Sequence, residues 1–438
     1  MKRWLVALLV LLAVIVLVSP AIIGRLAARN LEENLWWAED EARDIVVTTE
    51  SFDRGWFTSE GRYRVELRDR TLRDLVGDGV DHDAPPPALI IDTRLDHGIL
   101  PITSLAREHG TLQPGLASTV STFQIDAGDG HLVSLPGKLY STVGFGGETS
   151  SRYLLEPGTF EEQDVRAEWQ GADISFLTHA GDRSIEVDGE IESFDLVLGG
   201  DTIRSQGVRI TAAQEDVGYA FQVGSVELEL DGVSLGGGGA EVSGFSAMTL
   251  AADSRLVDSR VDAQTKLTLS GLEVPAVGDV DFVMDMAVER LDAEALHALA
   301  GAIDEAEQMD PATDFDSLYP EIERELQGLL SAGAAVRVDR LDITLPQGRV
   351  ETKIEIEVPE LDAAGFNWGS MMLRLDARAE IRIDAALYDF IQLMNPQAGA
   401  LADMNVFVPD GDAYVMQAEY AQGLLNVNGT PMALPMPR

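Results

Sequence analysis

The chain has 438 residues, 45% of them hydrophobic and 24% charged, a balance that suits a globular protein with a sizeable core and excludes a disordered one. Lys and Arg number 32 against 74 Asp and Glu, a formal net charge of −42, so the basic surface that a nucleic-acid binder needs to displace counterions is missing. There is no cysteine, which removes disulfides, thiol catalysis and thiolate metal ligands.

The chain opens MKRWLVALLVLLAVIVLVSPAIIGR, with Lys2 and Arg3 before an uncharged run from Trp4 to Gly24. About 20 helical residues span the roughly 30 Å hydrocarbon core of a bilayer. Residues 4–24 are therefore expected to be a transmembrane anchor, and the basic pair keeps the short N-terminus cytoplasmic. The expected location is the inner (cytoplasmic) membrane, single pass, with the bulk of the chain in the periplasm. A cleaved signal peptide is the competing reading; Ser19-Pro20-Ala21 is a poor cleavage site and the run is long for such a segment.

Residues 25–48 carry Ala28, Leu31, Leu35, Ala38, Ala42 and Ile45 at spacings of three and four, which predicts a juxtamembrane helix. Its stripe can pack against the following domain or against a second copy of itself. Next comes SFDRGWFTSEGRYRVEL. From Phe57 onward, residues alternate between the set Phe57, Ser59, Gly61, Tyr63, Val65 and the set Thr58, Glu60, Arg62, Arg64, Glu66, a half-buried strand. Arg54, Gly55, Trp56 and Phe57 then mark a turn from helix into sheet, with the aromatics wedged between the two; a ligand site there is the alternative.

Period-two segments follow in close order, among them SIEVDGEI, SVELEL, VDAQTKLTLSG and DFVMDMAVE. Gly199-Gly200, Asp231-Gly232 and Gly236 to Gly239 punctuate them as turns. Two helices interrupt the series. LDAEALHALAGAIDEAEQM has Asp292 placed as its N-cap, and SLYPEIERELQGLL carries Pro320 near its first turn. Beyond them VETKIEIEV presents an anionic outer face and LRLDARAEIRI a cationic one, so antiparallel pairing would oppose their charges. A short helix, DAALYDFIQLM, and a hairpin, YVMQAEYAQGLLNVNG, complete the chain.

These elements predict a mainly β (β-rich α+β) fold: an extended antiparallel meander sheet with a few packed helices and an N-terminal transmembrane helix. The expected divisions are an anchor over 1–24, a juxtamembrane helix over 25–48, a β-rich periplasmic region over 49–290, a helical insertion over 291–331 and a C-terminal β-rich region over 332–438. Three short helices cannot cover so many half-apolar strands.

Catalytic chemistry is harder to find. The six histidines, His82, His97, His109, His131, His179 and His297, show no metal-ligand spacing. The acid cluster at Asp78, Asp81 and Asp83 would need an acid at Leu89 to close a calcium loop. The glycine run ending at Gly239 is followed by no phosphate-binding Lys-Ser/Thr, and no nucleophile elbow occurs. The chain is read as no enzyme, with no metal site and no cofactor. Its lysines are only Lys2, Lys138, Lys266 and Lys353, so the acidity comes with an Arg-dominated cation set that suits high ionic strength.

The anchor, SFDRGWFTSEGRYRVEL, LDHGILPITSL and AEYAQGLLNVNGTPM, in that order and covering most of the chain, together resemble the YdgA-like family of bacterial envelope proteins, a domain of unknown function. The resemblance singles out Arg54, Gly55, Trp56, Phe57, Ser59, Asp96, His97, Gly98, Pro101, Tyr420, Gly423, Asn428 and Gly429. It implies an inner-membrane protein facing the periplasm and supplies no catalytic residue. The leading expectation is a tethered protein whose apolar sheet face holds or guides a hydrophobic envelope component such as lipid. The alternative is a non-enzymatic envelope scaffold that binds other proteins or a second copy of itself.

Overall fold

The computed structural model describes residues 45–54, 58–67, 88–97, 117–126 and 132–432, the last with breaks at 145, 163–164, 180–183, 199, 220, 238–239, 276, 308–318, 362–367, 396–398, 400 and 403. Among these residues are 23 strands and four helices, and the chain divides into two compact units, Met1–Glu215 and Asp216–Arg438. The mainly β, antiparallel architecture expected from the alternating segments is what forms.

The first unit holds β1 (Ile45–Arg54), β2 (Thr58–Leu67), β3 (Ala88–His97), β4 (Ala117–Asp126), β5 (Leu132–Val143), β6 (Glu148–Leu155), β7 (Gly158–Glu162), β8 (Val165–Trp169), β9 (Ala172–His179), β10 (Ser184–Ile191), β11 (Phe194–Leu198) and β12 (Asp201–Asp216). Strands β1 to β6 pair consecutively. From there β6 pairs β9 and β7 pairs β8, while β10 and β11 both pair the long β12. The doubled labels describe single long strands interrupted along one line. Pro157 ends one without an N–H to donate, and Gln170 N to Ser193 O (3.0 Å) and Glu192 N to Gly171 O (2.9 Å) carry the ladder across the interruption. The topology is a meander throughout.

The inward face of this sheet is sealed. Phe123, Leu139, Ile174 and Phe176 are at most 3% exposed, in a cluster with Leu89, Ile125, Leu135, Tyr153 and Ala172. Beside the cluster small hydroxyls satisfy one another: Thr93 and Ser121 lie 2.8 Å apart, and Ser151 donates to Ser141 at 2.7 Å.

The second unit holds β13 (Gln222–Gly237), β14 (Ala240–Val257), β15 (Arg260–Val274), β16 (Gly278–Asp292), α1 (Ala293–Glu307), α2 (Tyr319–Ser331), β17 (Ala334–Leu345), β18 (Gly348–Val358), α3 (Trp368–Arg374), β19 (Asp376–Asp384), α4 (Ala385–Met394), β20 (Val408–Asp410), β21 (Ala413–Ala421), β22 (Leu424–Val427) and β23 (Thr430–Met432). Strands β13 to β19 pair in sequence order, and β21 adds to β19. Strands β13 to β16 run 15 to 18 residues, roughly 50 Å each at about 3.3 Å per residue. Asp292 caps α1, its Oδ1 accepting the Ala295 N–H at 2.9 Å. The opposed charges between β18 and β19 also form: Glu351 faces Arg382, Lys353 faces Glu380 and Glu355 faces Arg378, with one like pair at Glu357 and Asp376.

Three local expectations change. Leu373 and Arg374, read as the start of a strand, end α3, a helix the alternation did not predict, which is anchored by buried Met371 and by Trp368 Nε1 donating to Glu323 (2.8 Å); the strand begins at Asp376. Asp231-Gly232 is no turn but lies inside β13, with Gly232 at φ +50°. Residues 45–48, placed in the juxtamembrane helix, belong to β1, which runs to Arg54 and pairs with β2, so a strand rather than a helix precedes Gly55. The boundary between the two units falls at residue 215.

Candidate functional site

Antiparallel register decides which side chains share a face. In the second unit Leu228, Leu250, Leu267, Met284 and Leu341 stand opposite one another in succession from β13 to β17. Beside this row runs Leu230, Met248, Leu269, Phe282, Ile343 and Val350, and on its other side Val226, Ala252, Thr265, Met286, Val338 and Ile354. Six strands about 4.8 Å apart make this face roughly 25 Å broad. Every one of these residues is only half-buried. Isolated exposed apolar residues are ordinary, but a contiguous field of them marks a binding surface.

Helices close the ends of the face rather than its middle. At one end Leu387 and Tyr388 of α4 are 2% and 1% exposed and pack with Ile383 and Phe407 against Val350, Ile381 and Met416. Tyr388 stacks on Tyr414 with centroids 4.2 Å apart. At the other end α1 leaves β16, and Tyr420 Oη donates to the Met372 carbonyl of α3 at 2.8 Å.

The opposite face carries the charge. Lys266 sits 3.5 Å from Asp285, Arg337 2.6 Å from Glu289 and Arg340 2.6 Å from Asp342. Asp262 accepts the Arg290 backbone N–H at 2.9 Å and faces Arg255, and these contacts hold its carboxyl below the ordinary carboxylate value, the backbone bond first. The bond also props Arg290 in the left-handed region at φ +64°. A polar hollow of about 530 Å³ opens at the β17–β18 hairpin, lined by Gln347, Arg349, Arg382, Asp384 and Asp412. Its cations are engaged: Arg349 with Glu351 at 3.2 Å, and Arg382 with Asp410 at 3.1 Å and Asp412 at 3.3 Å. Among the described residues no group of three or more His, Asp or Glu is placed to hold a metal ion. The arrangement offers apolar contact and counter-ions, and it brings together no nucleophile, base and orienting group.

A family model for bacterial proteins of unknown function, DUF945, matches residues 1–435. The chain belongs to the DUF945 family. A curated relative, Protein YdgA of Escherichia coli (strain K12), is 21% identical over 271 residues, covering 58% of this chain and 51% of the relative. The chain thus matches about half the length of that relative. No solved structure matches it.

The residues that carry the family resemblance fall in two places. Arg54 ends β1 opposite Ser59, and Asp96 lies on β3 opposite Thr58, so the first two motifs meet at one end of a three-stranded ladder. Ser59 and Asp96 are each 2% exposed, with Arg94 Nε 3.7 Å from the Asp96 carboxylate. His97 is the last residue of β3; Gly55, Trp56, Phe57, Gly98 and Pro101 lie outside the described residues. In the second unit Gln422 and Gly423, at φ +54° and +77°, make the tight turn between β21 and β22, and Asn428 and Gly429, at +48° and +77°, repeat it between β22 and β23. The Asn428 side chain accepts from Gln417 N (2.8 Å) and donates to the carbonyls of Asn405 (3.0 Å) and Val406 (2.9 Å). These motif residues of the DUF945 chain build turns and clamp loops. The apolar rows lie elsewhere, in the plain alternation of β13 to β18, and only the pairing register shows that they align.

The anchor expected over residues 4–24 lies outside the described residues, and no described helix is long and apolar enough to cross a membrane. His297 is exposed and meets the Tyr219 ring edge-on at 6.0 Å, a packing contact.

Proposed function

We propose that this DUF945 protein is held in the inner membrane by residues 4–24, faces the periplasm, and carries a hydrophobic envelope component, a lipid acyl chain, on the apolar face of its second unit. The observation that supports this most is the only partial burial of Leu228, Leu250, Leu267, Met284 and Leu341 across five long strands, in contrast to Phe123, Leu139 and Ile174 of the first unit, which are sealed. A sheet whose apolar face stays only partly buried has apolar surface to spare for a ligand. Covering it would stabilise by about 25 cal/mol per Å² of apolar area removed from water.

No catalytic role is assigned in this reading: the face holds and guides. A scaffold role draws on β1, which among the described residues pairs on one edge only and could accept a partner's strand. The ligand reading is tested by purifying the full chain in mild detergent and counting bound phospholipid by mass spectrometry, beside the Leu267→Glu/Met284→Glu variant. The expected result is a loss of at least half the bound lipid in the variant with the fold retained. Equal lipid in both would assign that lipid to the anchor and remove the proposal.

A further inference from the structure

The segment around the end of α4 breaks the surface pattern of the chain. Leu393 and Met394 are 79% and 73% exposed, and shortly after them Leu401 and Met404 are 39% and 61% exposed. Four large apolar side chains on one short segment are more than chance exposure supplies. They stand on firm ground. The inner side of the segment is packed, with Leu387 and Tyr388 buried on Phe407 and with Ala402 and Val406 in the same cluster. The carbonyls of Asn405 and Val406 are further held by Asn428. Packed residues on this segment thus alternate with exposed apolar ones, which together are called the ridge.

Charge decides what such a ridge can meet. From Ala385 to Val408 only Asp389 and Asp403 are charged, two of 24 positions against 24% for the chain, and none is a cation. A protein partner selected to match this acidic molecule would be basic, and on the ridge it would find little to pair with. An anionic surface is repelled by the rest of the chain and least repelled here. Hydrocarbon needs no counter-charge.

We infer that the ridge docks on a lipid bilayer surface, with Leu393, Met394, Leu401 and Met404 entering the boundary between headgroups and acyl chains. This contact is additional to the proposed anchor and does not depend on the ligand reading. It places a bilayer beside the end of the apolar face that α4 covers. Because attachment is apolar and the protein acidic, docking holds or strengthens as salt rises, the reverse of a basic membrane patch.

The absence of cysteine allows clean single-site labelling. The full chain carrying Met394→Cys, Met404→Cys or, on the charged face, Ser225→Cys is labelled with a polarity-sensitive fluorophore. It is then reconstituted with phosphatidylethanolamine–phosphatidylglycerol vesicles whose acyl chains are brominated. Positions 394 and 404 should shift to the blue and lose at least half their emission to the brominated chains at low and high salt, with position 225 unaffected. Aqueous iodide quenching 394 and 404 as well as 225 would overturn the inference. So would protection of 394 and 404 that grows with protein concentration without bromolipid quenching, which would assign the ridge to a second copy. The same readings in the Leu267→Glu/Met284→Glu background separate this outcome from that of the ligand reading.

Discussion

Asn428 shows how much one side chain can hold. Its φ of +48° is a conformation that disfavours residues with a Cβ, and its amide makes three hydrogen bonds that tie β21 to the loop at Asn405 and Val406. Asn428→Ala should cost about 2–3 kcal/mol in chemical denaturation, from strain plus net hydrogen-bond loss. Asn428→Gly should recover the strain but not the bonds. Tyr153 makes a pH-dependent contribution. Burial pushes its hydroxyl up to about 12 from 10.0, and Oη donates to the Pro136 carbonyl at 2.8 Å. Its stability contribution is complete below pH 10, where both states are protonated, and is lost as pH rises toward about 12, because only the unfolded chain ionises in that window. Tyr153→Phe should flatten the alkaline limb of stability against pH while costing about 1 kcal/mol at neutrality for the bond. Gly137, at φ +95°, lies under the Tyr153 ring, where a Cβ would overlap it. Asp262 acts at the acid end. Its lowered carboxyl contributes fully above the ordinary value of 3.8 and ceases to as pH falls through the folded value, so Asp262→Asn should flatten that limb. None of these three roles was legible in sequence. Asn428-Gly429 could be read as a turn, but its clamp partners sit 22 and 23 residues away.

Among elements, alternation is legible in the sequence and interruption is not. SIEVDGEI is β10 from end to end, and Asp292 caps its helix as a short polar residue before an apolar stripe should. Asp292→Ala is expected to lower stability by about 1 kcal/mol in thermal or chemical unfolding. Asp231-Gly232 failed as a turn because a glycine at positive φ can kink a strand without ending it, and β13 continues to Gly237. Leu373 failed because the alternation of β19 extends by accident into α3, where packing of Met371 and the Trp368–Glu323 bond override propensity. The same packing logic decides α4: Leu387→Ala, at a site 2% exposed, should cost about 3 kcal/mol and loosen the end of the apolar face.

For the molecule as a whole, the β architecture was visible because period two persists over strand after strand. The candidate face was visible only as a class, too many apolar strand faces for the helices available, since the alignment of Leu228 with Leu250 and Leu267 depends on register that no single strand encodes. With a net charge of −42, self-repulsion is a global cost, so the melting temperature should rise with added salt. In the proposed function, the second unit's face meets hydrocarbon. Reconstituting the full chain with a phospholipid bearing a photoactivatable group in its acyl chain, irradiating, and mapping adducts by peptide mass spectrometry tests this directly. Adducts on peptides containing Leu267, Met284 and Leu341 are predicted; adducts confined to residues 4–24, with those strands unlabelled, would contradict it.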